Sequence, residues 1–160
     1  MIIYSIVQAL LGNSHQLETS LLRYISVFSL LIVLPASAET IIQCGSSGGW
    51  AYYFGDTNIE QKDEGWMQDG ISKGGIALTR EGNDLDILMK DSIGMMSVKG
   101  EGATVQLVDA YGAFITVLVS YPQGSKEMYT FDIERKKVSW SQHKFGVMFD
   151  KVSTMIADCQ

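Results

Sequence analysis

Apolar and outward-facing positions alternate with a period of two through the second half of the chain. Ile115, Val117, Val119 and Tyr121 alternate with Thr116, Leu118 and Ser120. Tyr129, Phe131 and Ile133 alternate with Thr130 and Asp132, and Val138 and Trp140 with Ser139 and Ser141. Successive side chains of a strand point to opposite faces, so this period predicts strands with one buried face. Turn-forming stretches separate them: Tyr111-Gly112, Pro122-Gln123-Gly124-Ser125 and the charged Glu134-Arg135-Lys136-Lys137. Connections this short join antiparallel neighbours, which predicts a meander. Its buried face is expected to hold Ile115, Val117, Val119, Tyr129, Phe131, Val138 and Trp140.

The pattern continues less cleanly upstream. Strands are predicted over residues 50–54, 75–79, 85–90, 95–99 and 104–109, with a last one over 152–159. Gly45-Ser46-Ser47-Gly48-Gly49 reads as a flexible turn. Residues 56–72 form the longest stretch without strand character, mixing Glu60, Lys62, Asp63 and Glu64 with Trp66 and Met67. In a compact domain a loop of that length is functional or poorly ordered. No long helical period follows residue 38. The fold class expected is mainly β: an antiparallel meander forming a small closed or partly open β-barrel.

Residues 24–34 are an almost unbroken apolar run behind Arg23, ended by Pro35 and followed by Ala36-Ser37-Ala38, an A-x-A cleavage site. The run falls short of the about 20 residues that span a bilayer comfortably. Residues 1–38 therefore read as a cleaved signal peptide and residues 39–160 as a single exported β domain, periplasmic or secreted, with no membrane span after cleavage. The stretch before Arg23 is long for a signal, and a translation start near Leu21 or Leu22 gives a compact one. Export permits a disulfide. The two cysteines, Cys44 and Cys159, allow one intramolecular pairing, against the alternatives of free thiols or intermolecular bonds. Paired, they would tie the first strand to the last where a barrel closes, for about 4–5 kcal/mol by the chain-entropy argument.

Composition narrows the function. With 46% hydrophobic and 19% charged residues the chain has the makings of a core. A formal net charge of −6, with Arg135-Lys136-Lys137 as the longest basic run, argues against nucleic acid and anionic membrane surfaces as partners. Catalytic signals are thin. His143 is the only histidine behind the signal and sits in a polar strand end, which reads as surface. Asp84 and Asp86 flank Leu85 at a strand start and read as a solvated edge. There is no G-x-S-x-G elbow, no Ca²⁺-loop or phosphate-loop pattern, and too few His and Cys for zinc, so neither metal nor cofactor is expected. Trp50, Tyr52, Tyr53 and Phe54 read first as core or barrel lining.

The expectation is a non-enzymatic β domain that binds an unknown protein or small ligand through a loop or barrel mouth. Contact is expected on residues 56–72, centred on Trp66 with Met67 and Asp69, because Trp is enriched at binding hot spots. The alternatives are a hydrolase-type enzyme using His143 with a carboxylate such as Asp84 or Asp86, and a structural envelope protein.

The run Cys44-Gly45-Ser46-Ser47-Gly48-Gly49-Trp50-Ala51-Tyr52-Tyr53-Phe54, with Gly65-Trp66, Asp69-Gly70-Ile71-Ser72, Asp86-Ile87-Leu88, Tyr121-Pro122, Tyr129-Thr130-Phe131, Trp140-Ser141-Gln142 and Cys159, resembles a functionally uncharacterised family of small secreted proteins from Gram-negative bacteria. The resemblance covers most of the exported domain. It implies export and one cysteine pair and carries no catalytic residue. By architecture alone the chain is also similar to small periplasmic β-barrels such as lysozyme inhibitors and lipocalin-like binders.

Overall fold

One long strand organises the molecule. A computed structural model describes residues 37–55, 58–90, 94–146 and 149–160, of which Ser37–Gln160 form a compact unit. The segment read from the sequence as a signal peptide, residues 1–38, lies outside the described residues up to residue 36. Strand β1 (Glu39–Tyr53) is followed by a 3₁₀ turn (Gln61–Asp63), β2 (Gly65–Asp69), β3 (Gly75–Glu81), β4 (Asp84–Lys90), β5 (Met95–Ser97), β6 (Thr104–Tyr111), β7 (Phe114–Ser120), β8 (Lys126–Asp132), β9 (Lys137–Lys144) and β10 (Lys151–Cys159). The sheet order is β5-β4-β3-β1-β10-β9-β8-β7-β6, with β2 also on β1. Every pairing is antiparallel. Two meanders, β3 to β5 and β6 to β10, thus meet at the β1–β10 pair, and the sheet curls into a half-barrel.

Strand β1 serves two neighbours on one edge. Its first part pairs with β3, from Glu39 opposite Arg80 to Cys44 opposite Ile76. Its second part pairs with β2, from Gly49 opposite Asp69 to Tyr53 opposite Gly65. Between them Ser47 and Ile71 exchange backbone hydrogen bonds of 3.1 and 3.2 Å. The Gly/Ser run is therefore strand and not the turn its composition suggested. Small residues are needed because other backbone comes close. A Cβ on Gly49 would lie 2.0 Å from the Thr154 carbonyl oxygen of β10, and one on Gly70 2.4 Å from that of Ser47. A register shift between Cys44 and Ser47 marks a bulge, which bends and twists a strand locally.

The expected period of two sets the core. Val117, Val119, Tyr129, Phe131, Val138 and Trp140 are buried, and Ile115 is half-buried against them. Tyr129 stacks on Trp140 at 5.8 Å and on Phe131 at 6.2 Å between ring centres. Facing side chains come from Ile42 and Cys44 on β1, Ile76 and Leu78 on β3, Ile87 on β4, and Met155 and Ala157 on β10. The β5–β6 connection adds Val98 and Ala103 to the core, tied by hydrogen bonds from Val98 N–H to the Ile87 carbonyl and from Ala103 N–H to the Val98 carbonyl, both 3.0 Å. The sheet ends at β5 and β6 without joining, so the barrel is partly open and chain crosses the opening.

Two expectations are corrected. Residues 56–72 are not a structureless loop, since β2 lies within them as an edge strand. The disulfide forms between Cys44 and Cys159, Cα atoms 3.7 Å apart, but it does not sit at a closing edge. It crosses directly opposed residues of the β1–β10 pair, in the middle of the sheet, because β1 and not β10 also carries the second meander. Among the described residues, no helix is long and apolar enough to cross a membrane.

The double variant Cys44→Ala/Cys159→Ala should lose about 4–5 kcal/mol of stability, the entropy of a loop spanning 115 residues. Denaturant titration of oxidised wild type against the variant measures this, and equal midpoints would show that the crosslink constrains nothing.

Candidate functional site

On β1, Trp50 and Tyr52 point to the outer face of the sheet while buried Ala51 between them points inward, and Phe54, just past the end of the strand, packs against Tyr52. Trp66 on β2 lies directly opposite Tyr52. The rings form a chain: Trp66 packs edge-on against Tyr52 at 5.6 Å and 78°, Tyr52 against Phe54 at 5.0 Å and 63°, and Phe54 against Phe145 at 5.4 Å. Trp66 remains 65% exposed, Trp50 53% and Phe145 46%. Glu64 braces this patch through hydrogen bonds. Its carboxylate accepts from the Tyr52 hydroxyl at 2.8 Å, from the Gly55 N–H at 3.3 Å and from the Gln61 amide. The hydrogen bond to Glu64 holds the Tyr52 phenol above its ordinary ionisation range.

The three residues expected to form one contact surface part ways. The strand period sends Trp66 outward and Met67, opposite Ala51, to the inner face. Asp69 shares the inner side and is engaged. Its Oδ2 accepts from Lys151 Nζ at 2.5 Å and from the Tyr53 hydroxyl at 3.2 Å, and its Oδ1 accepts from the Gly70 N–H at 2.8 Å. Lys151 Nζ also lies 5.2 Å from the Tyr53 ring centre. Burial pushes the Asp69 carboxyl up, but Lys151, the Gly70 N–H and the Tyr53 hydroxyl together outweigh it and hold the group below the usual carboxylate range. Burial likewise pulls the Lys151 ammonium down, and Asp69 more than restores it. This clamp binds the edge strand β2 to β10.

A second polar cluster lies inside the half-barrel, in the sheet row where Glu127 opposes Gln142 and Gln142 opposes Ser153. Glu127 is 1% exposed. Gln142 Nε2 donates to its Oε1 at 3.0 Å, Lys144 Nζ lies 3.2 Å from the same oxygen, and the Tyr129 hydroxyl donates to Oε2. Ser153 Oγ donates to the Gln142 side-chain Oε1 at 3.1 Å. A buried carboxylate is tolerable only when donors replace its water, and three converge here. Burial, reinforced by Glu127, pushes the Tyr129 phenol well above its ordinary range. Beside this row a cavity of about 320 Å³ opens between the two meanders, with Met89 and Met96 on one side and Tyr121, Ser125, Glu127 and Lys144 on the other.

Sequence reasoning passed over Glu127 and Gln142 because they are polar. The signal was parity: Glu127 stands two residues before Tyr129 and Gln142 two after Trp140, on the same buried face.

His143 faces outward, exposed, with Lys126 and Val152 as its register neighbours. Asp84 pairs with Lys99 at 2.5 Å, and Asp86 accepts from Ser97 Oγ at 2.5 Å and from the Lys99 N–H at 3.4 Å. Both acids belong to β4, which β10, β1 and β3 separate from β9 in the sheet, so the fold does not bring His143 to them. Among the described residues no group of three or more His, Cys, Asp and Glu converges as a metal site. No family model, curated protein or solved structure matches the chain.

Because the folded Asp69 carboxyl titrates below its unfolded value of about 3.9, its contribution to stability is complete above that pH and is lost as pH falls through the folded value. Melting temperature measured from pH 7 down to pH 3 should therefore drop less steeply for Asp69→Asn than for wild type. Parallel curves would show that the clamp does not contribute.

Proposed function

We propose that this is an exported, non-enzymatic binding domain that captures a protein partner on the outer aromatic face, and that it belongs with the small secreted proteins of Gram-negative bacteria whose motifs it resembles. The carrying observation is the exposure of Trp66 within a connected run of aromatic rings. Large apolar side chains left in water on a strand face, and braced by a hydrogen-bond anchor such as Glu64, are rigid area awaiting desolvation. Edge-to-face ring angles give this patch relief and no flat shelf, which suits the uneven surface of a protein better than the stacked face of a sugar. Trp and Tyr dominate hot spots for the same reasons. The disulfide supports residence in an oxidising compartment, periplasmic or extracellular.

Trp66→Ala should change stability by no more than about 0.5 kcal/mol, as for other exposed positions, and should weaken partner binding by about 2 kcal/mol, a roughly 30-fold rise in Kd. The partner is sought by replacing Trp66 with a photo-crosslinking phenylalanine analogue in the native host. A discrete adduct is expected there, absent when Trp50→Ala is added and absent when the probe stands at Tyr111 on β6. Equal labelling at both places, or unfolding of Trp66→Ala, would rule out this face as the binding site.

A further inference from the structure

The inner cavity is separate from the outer aromatic face and is built as a site in its own right. Its walls differ in kind. Ile71, Met89 and Met96 offer apolar, adaptable surface, while Tyr121, Ser125 and the Glu127–Lys144 pair offer hydrogen bonds. Its volume of about 320 Å³ falls in the range of small-molecule sites. The polar wall is already in place. In the β7–β8 turn the Tyr121 N–H donates to the Ser125 carbonyl at 3.0 Å and the Gly124 N–H to the Tyr121 carbonyl at 3.0 Å, so phenol and hydroxyl are held by one closed turn.

Ser125 supplies the independent sign of a ligand. The residue is 2% exposed, and its Oγ is buried without a hydrogen-bond partner, although it lines the cavity. A buried hydroxyl left unmet costs stability unless something occupies the space before it. Charge decides the class of occupant. Glu127 carries the deepest charge of the wall and is met by Lys144 and two neutral donors. Lys90 and Glu101 also line the cavity but are exposed to solvent, so a charged group reaching the depth of Ser125 and Tyr121 would meet only the spent Glu127–Lys144 pair, and a buried charge without an unspent opposite one is expensive. Ser125 and Tyr121 can each donate or accept. Burial, together with the nearby carboxylates of Glu127, Glu101 and Asp86, keeps the Tyr121 phenol protonated far above neutral pH.

We infer that the cavity between the two meanders binds a small uncharged molecule with one hydroxyl-type head against Ser125 and Tyr121 and an apolar body against Met89 and Met96.

Three probes of one length and different charge test this: 1-hexanol, hexylamine at neutral pH, and hexanoate. Each is titrated into the oxidised protein while the methyl resonances of Met89 and Met96 and the amide resonances of Tyr121 and Ser125 are followed by NMR. Saturable shifts at these four residues are expected with hexanol, with binding at least about tenfold weaker for both charged probes. Ser125→Ala should keep the remaining spectrum and weaken hexanol about fivefold, the worth of one hydrogen bond. The inference fails if hexanol gives no saturable shift at these residues, if either charged probe binds as well as hexanol, or if Ser125→Ala binds it unchanged. Trp66→Ala should leave the hexanol titration as it is, so failure here and failure of the outer face as a partner site are told apart.

Discussion

The pairing of β1 with β10 is the constraint on which the rest of the structure depends. Each meander is local: its strands are joined by turns and could pair without the other. Only β1 has one edge on β3 and β2 and the other on β10, so only this pair places the inner faces of the two meanders against each other. The aromatic stack of Tyr129, Phe131 and Trp140 is buried because Ile42, Ile76, Leu78 and Ile87 are brought over it. Gly49 shows how close the contact is, since no side chain fits between the strands at that point. The disulfide fastens one end of the pair and the Asp69–Lys151 clamp fastens β2 near the other.

Polar chemistry inside the half-barrel is confined to one cross-strand row. Glu127, Gln142 and Ser153 form it as a hydrogen-bonded chain on β8, β9 and β10, while the next row on the same face, Tyr129, Trp140 and Met155, packs in the core. A fully satisfied buried network rigidifies its surroundings, and a partly satisfied one is costly. Here the network is satisfied at Glu127 and unsatisfied one turn away at Ser125, on the cavity wall.

Much of this was legible in the sequence, and what was not has physical reasons. Strands β7, β8 and β9 and their buried residues follow from the period of two, because one face of each is apolar and the turns between them are short. The middle of β1 was hidden because the Gly and Ser residues from Gly45 to Gly49 carry no hydrophobic signal, although their smallness is what the backbone contacts require. Strand β2 was hidden by the charges before it and by its own mixture of Trp, Met, Gln and Asp, the composition of an edge. The pairing of the cysteines could be read from their number, but not their place in the sheet, since periodicity says which way a side chain points and nothing about which strand lies next. Trp66 was singled out by residue type alone, and the edge strand leaves it exposed. Met67 and Asp69 were grouped with it by proximity in sequence, which a strand divides between its two faces.

The position of the disulfide bears on how the fold is checked as it forms. Cys44 and Cys159 stand opposite each other in the register, and a slip of one residue between β1 and β10 would turn one of them to the other face of the sheet. Their sulfurs could then not meet without backbone movement. Oxidation thus discriminates among pairings, trapping the chain in the alignment that also matches Ala51 to Ser153 and Gly49 to Met155. A contact between residues so far apart in sequence is among the slowest to find. The bond makes the correct one hard to leave, and so acts as proofreading of the sheet.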